Sequence, residues 1–177
     1  MDCFKVSLLR TLNLVKPQIN DLRTWKQAEL LLQPAFIRLL DNFRKVLESS
    51  DWESRYEEIA TWPAEVSDAQ KQQYEELIEK LERATPTEVP EIENLLAQIP
   101  EPAMAYELQL SRNERTVRFD MWQLCYQVCF CNYVPGVPGQ TQAAEIDETL
   151  LSETEGVDWP ALDQKVKTLV QRLLQNL

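Results

Sequence analysis

The sequence predicts a mainly α, single-domain helical bundle over residues 1–177, with one flanking β-hairpin at about 106–119 and a central apolar helix at about 120–134. Three observations predict it. Apolar residues recur at a 3.6-residue period along most of the chain, that period drops to two in one place, and one segment is apolar on nearly every side. Glycine is scarce as well: average usage would place about 12 in such a chain, and there are 3.

The first segment, residues 2–16, sets Phe4, Leu8, Leu9, Leu12 and Val15 at helical spacing and stops at Pro17. Asn20 or Asp21 can cap the next run, in which Trp25, Ala28, Leu31, Leu32, Ala35, Phe36, Leu39, Leu40, Phe43 and Leu47 form one stripe. Pro34 lies inside it, and because proline is costly within a helix it should either kink one long helix or start a second, with two helices meeting near Gln33-Pro34 the preferred reading. Residues 49–67 read as a connector whose Trp52, Tyr56, Ile59 and Trp62 pack it onto the bundle. Ser67-Asp68 opens a helix carrying Tyr74, Leu77, Ile78 and Leu81 on one face. Between Pro90 and Pro100 lies a short helix, with the surrounding prolines acting as rigid joints.

Residues 106–110 (YELQL) and 116–119 (TVRF) alternate, which predicts two strands joined by a longer loop over Ser111–Arg115. Asp120 begins the central helix, with Gln123 placed to complete a capping box. That helix should end near Val134-Pro135, ahead of a turn-rich stretch holding Gly136 and Gly139. Asp158 caps the last helix, striped by Leu162, Val166, Leu169, Val170, Leu173 and Leu177. Six or seven helices are therefore expected.

Composition excludes several chemistries. No glycine precedes Gly136, so the glycine-rich phosphate cradles of nucleotide-binding folds are absent. There is no histidine, which removes serine and cysteine triads and the zincin motif. No stretch approaches the roughly 20 apolar residues that span a bilayer. With no signal peptide at the start, a cytoplasmic protein with reduced thiols is expected.

Charge is asymmetric. Residues 1–45 carry eight Lys/Arg against four Asp/Glu, whereas residues 48–107 carry sixteen Asp/Glu against four Lys/Arg. The acidic field opposes nucleic acid and favours a basic protein partner, or simply keeps the chain soluble. Lys5, Arg10, Lys16, Arg23 and Lys26 decorate the apolar N-terminal stripe and form a candidate interaction face. Either they pair internally with the acidic helices, or they leave a basic face open to a protein partner, with an anionic membrane surface as the lesser alternative. Carboxylates that adjoin, such as Glu57-Glu58 and Glu75-Glu76, do not face one another on a helix and read as solvated surface.

Residues 122–133 (WQLCYQVCFCNY) place three cysteines within seven positions. On one helix Cys125 and Cys129 share a face, while Cys131 points about 160° away from Cys129 by the 100° step, so the three cannot converge on a tetrahedral ion. Their apolar neighbours favour core packing, and no metal or other cofactor is expected. Cys125, in the second turn and near Arg115 and Arg118, is the candidate reactive thiol, because a thiolate needs nearby positive charge. A cofactor or metal held by this cysteine-rich helix is the alternative to packing.

The stretches INDLRTWKQAELLLQPAFIRLLDN, FDMWQLCYQVCFCNY and VDWPALDQKVKTLV resemble conserved, uncharacterised proteins of cyanobacterial type. The resemblance covers about half the chain and includes no catalytic motif. It implies a soluble accessory role in photosynthetic physiology or assembly. The sequence therefore leads to a non-enzymatic protein that acts by protein–protein interaction, as an assembly or regulatory factor. No catalytic residue is assigned.

Overall fold

The computed structural model describes residues 17–135, 143–154 and 156–177, so the helix expected at 2–16 and the turn at 136–142 lie outside the described residues. Among the described residues there are five α-helices, one 3-10 turn and a three-stranded antiparallel sheet. Contacts cluster into two compact units: Ala60–Met104, and residues 17–59 together with Ala105–Leu177.

The larger unit opens with α1 (Leu22–Leu47), whose N-cap Asp21 accepts the Thr24 N–H at 2.8 Å. The break expected at Pro34 does not occur, and one helix of 26 residues runs through it. Tertiary burial explains this. Leu31 and Ala35, on either side of the proline, are both fully buried in one stripe with Ala28, Leu39 and Phe43, and a break would take half of that stripe out of register. The carbonyl that Pro34 leaves without a helical donor belongs to Leu30, on the exposed flank where water can serve it.

The expected connector holds a strand instead, β1 (Glu53–Thr61), so the hairpin is part of a sheet ordered β1-β2-β3 with β2 at Ala103–Arg112 and β3 at Arg115–Asp120. Apolar residues at 52, 56 and 59 satisfy a helical count, but Trp52, Ser54 and Tyr56 also share one face at strand spacing, and Tyr56 stacks on Tyr106 at 5.8 Å. Leu108 opposes Phe119 and Leu110 opposes Val117, with both leucines fully buried. The strands extend further than the alternation predicts, and the loop between them shrinks to Asn113-Glu114 because Arg112 pairs with Arg115. Asn113 takes a left-handed φ of 54°, which asparagine tolerates better than most residues.

The central helix is shorter than expected: α4 (Met121–Cys129) stops five residues early. Asp120 caps it, accepting the N–H groups of Trp122 and Gln123. Phe130 is extended and bridges to Ile146, while Cys129 O accepts the Asp147 N–H and Cys131 N donates to Glu145 O. Asn132 adds two more bonds to the same segment, through Ala143 O and the Glu145 N–H. Cys129 O, Cys131 N and the Asn132 side chain thus find partners across the chain, where a longer helix would have used local ones. A 3-10 turn (Glu148–Leu150) leads to α5 (Trp159–Gln175), capped by Asp158. Both α4 and α5 pack on α1, burying Phe43, Leu39, Met121, Val128, Leu162 and Val166 in one core.

The smaller unit contains α2 (Asp68–Arg83) and α3 (Val89–Leu96). Ser67 and Gln70 form a reciprocal capping box at the start of α2, and Pro90 sits in the first turn of α3. Leu77, Leu96 and Ile99 make its core, with Trp62 edge-on to Tyr74 at 5.2 Å.

Candidate functional site

Two regions carry the residues that the sequence singles out: the cysteine segment and the outer face of α1. In the first, Cys125 and Cys129 are fully buried inside α4 and Cys131 is exposed on the extended segment after it. Burial pushes the Cys125 thiol well above its ordinary value, and Cys129 and Asp120 add to the effect. The positive charge expected from Arg115 and Arg118 does not act on it; its electrostatic neighbours are acidic. Cys125, the candidate reactive thiol, is therefore a buried group held in its protonated form near neutral pH. Cys129 is pushed up to about 12, chiefly by burial, against a smaller pull downward from Lys165. The exposed Sγ of Cys131 lies 3.4 Å from Glu145 O. Among the described residues no group of three or more Cys, Asp or Glu is placed to hold a metal ion.

Nearby, the Tyr133 hydroxyl is buried without a hydrogen-bond partner, and burial followed by the charge of Asp120 raises its pKa to about 12. Asp147 is the opposite case. Burial alone would raise it, yet the bonds from Lys165 (2.5 Å) and Thr149 outweigh that and hold its carboxyl below the usual range. This pair ties the segment before the 3-10 turn to α5.

The outer face of α1 is built by spacing. Leu22, Lys26, Leu30, Gln33, Ile37, Leu40 and Arg44 follow one another at three or four residues, so they line one side of the helix, roughly opposite the buried stripe. Leu22, Leu30 and Ile37 remain 68%, 38% and 53% exposed, over a length of about 22 Å at 1.5 Å per residue. The usual helix in a globular protein puts charge here.

A groove lies against each end of this face. Near the helix start, a groove of about 800 Å³ is lined by Leu22, Lys26 and Leu30 together with Leu151, Ser152 and Glu153. Arg23 crosses its rim to Glu148 at 3.0 Å, with both side chains largely exposed. Lys26, also exposed, has no acidic partner among the described residues. Of the five basic residues expected to form an interaction face, these two are therefore on the groove, one paired and one open. Lys5, Arg10 and Lys16 lie outside the described residues.

Near the helix end, a groove of about 570 Å³ has a floor of Trp52, Tyr56 and Tyr106 and a wall of Ile37, Leu40 and Leu47. Its polar rim is Asp41, Arg44, Glu48 and Ser54. Arg44 spans the rim acids, bonding Asp41 at 2.8 Å and Glu48 at 2.6 Å, and Arg112 covers the Trp52 ring at 4.4 Å. Sequence reasoning missed this groove because it needs β1 beside α1. The signal that was available is the Trp52, Ser54, Tyr56 alternation.

No protein-family model, curated protein or solved structure matches this chain. Among the described residues no helix is long and apolar enough to cross a membrane.

Proposed function

We propose that this chain is a non-enzymatic, cytoplasmic accessory protein that acts by binding another protein through the outer face of α1. The supporting observation is the row of Leu22, Leu30 and Ile37, exposed along one side of a helix whose opposite side is fully buried. Exposed apolar side chains aligned on one helix face, here interspersed with Lys26 and Gln33, suit an interaction site, because the solvent cost of leaving them open is recovered only on contact. Lys26 supplies an open positive charge at one end, so the complex weakens with salt. A role in photosynthetic physiology rests on the cyanobacterial resemblance alone.

The test is a photo-crosslinking amino acid placed at Leu30, at Ile37 and, as control, at Glu79 on the exposed side of α2. Positions 30 and 37 should give the same intermolecular adduct, reduced at about 0.5 M salt, where screening is short-ranged, and position 79 should not. Purely intramolecular adducts, or the same pattern at all three positions, would refute the reading.

A further inference from the structure

We propose that the groove beside the end of α1 receives an extended, basic peptide segment of a partner protein, which adds as a fourth strand to the open edge of β1. This rests on the reading above and names the kind of partner for one end of the α1 face. Three independent features meet there. First, the sheet order is β1-β2-β3, so β1 is an edge whose outward N–H and C=O groups have no strand beside them among the described residues. An added strand would satisfy those groups with main-chain bonds, the usual basis of affinity in strand addition.

Second, the edge is flanked on one face by a socket for side chains. A strand laid along residues 53–59 presents alternate side chains to the groove side, where Ile37, Leu40, Trp52 and Tyr56 form an apolar cleft. Tyr56 stacks against Tyr106 at 5.8 Å with the rings 17° apart, which gives the cleft a rigid floor. A branched or aromatic residue at every second position of the peptide fits this pattern.

Third, the charge is one-sided. Residues 41–58 carry six carboxylates against three bases. All three bases are already engaged: Arg44 with Asp41 and Glu48, Lys45 with Asp41, and Arg55 with Glu57 at 2.8 Å. Asp51, Glu53 and Glu58 have no basic partner among the described residues; Asp51 and Glu53 stand at the start of β1 and Glu58 lies within it. Lysine or arginine on an incoming strand would be drawn to these carboxylates, with its outward positions meeting Asp51 and Glu53, whereas an acidic segment would be repelled. The same carboxylates keep the edge from pairing with a second copy of itself, since like charges would then face each other.

The experiment uses the full chain, isotopically labelled, and an end-blocked octapeptide in which lysine alternates with valine and leucine. A matched peptide with glutamate in place of lysine is the control. The lysine peptide should slow hydrogen exchange at alternate amides of residues 53–59 and shift the Trp52 resonance. Ile37→Lys, at a half-exposed position that the fold does not need, should weaken binding at least ~10-fold, with the unfolding midpoint unchanged. Leu22→Lys, at the other groove, should leave it unchanged. Equal binding of the glutamate peptide, no protection on β1, or indifference to Ile37→Lys would overturn the proposal. If β1 stays unprotected while Ile37 still crosslinks to a partner, strand addition fails and the interaction reading survives. If both are lost, both fail.

Discussion

Raising the pH tests whether the cysteine segment is sealed. Cys129 is fully buried and its thiol is pushed up to about 12 from an ordinary value of 9.0. A group whose folded pKa lies above its unfolded value contributes stability that is complete below the unfolded pKa and is lost as pH rises toward the folded one. At about pH 10.5 the unfolded thiol is ionised and the folded one is not, so Cys129 alone costs about 2 kcal/mol of stability relative to about pH 8. Replacing it with alanine removes this penalty and leaves a small cavity worth about 1 kcal/mol. Cys129→Ala should therefore be the less stable protein at about pH 8 and the more stable one at about pH 10.5, with the curves crossing between. Urea unfolding followed by tryptophan fluorescence, under reductant, measures both proteins at both pH values. Taking the difference between them cancels the other groups that titrate in this range, including Tyr126 and Tyr133. A difference that stays constant within about 0.5 kcal/mol would refute the reasoning. It would mean that the thiolate forms inside the fold and that solvent or a ligand reaches α4.

Three further outcomes follow from single contacts. Pro34→Ala should stabilise the protein by about 1–3 kcal/mol in thermal or urea unfolding, since it restores the missing helical bond in an unbroken α1. Asp120→Ala removes the acceptor of two N–H groups at the start of a nine-residue helix and should cost about 1–2 kcal/mol, read by the same unfolding curves. Asp147 is held below its ordinary 3.8, so its contribution is present above that value and is lost as pH falls through the lowered folded pKa. Asp147→Asn should therefore be destabilising at about pH 7 and closer to wild type at about pH 3, as followed by the shift in urea midpoint with pH.

The expected elements that appear in the structure are those written into local chemistry. Asp21, Ser67, Asp120 and Asp158 each cap the helix they precede, because an N-cap needs only a short acceptor and the next few N–H groups. Leu108 and Leu110 mark β2 because alternation is itself the sheet's geometry. Pro34 misleads for the opposite reason. Its local penalty is real, but it is outweighed by a buried stripe that continues on both sides, and that burial depends on α4 and α5. Cys131 misleads in the same way: residues 130–132 keep a sequence that looks helical, yet Cys131 N and the Asn132 side chain bond to residues 143 and 145. Of the candidate sites, the exposed side of α1 could be read from the positions of Lys26, Leu30 and Ile37, although their exposure could not.

The sequence by itself determined that this is a chain without histidine, almost without glycine, predominantly helical, and acidic through its middle. It determined where the helices are capped, since capping is a contact between near neighbours. Tertiary structure alone decided that residues 53–61 form a strand, that α1 stays whole across Pro34, and that Cys125 and Cys129 are sealed while Cys131 is not. Each of these turns on a partner distant in the chain, with burial and backbone pairing outweighing local preference wherever the two conflict.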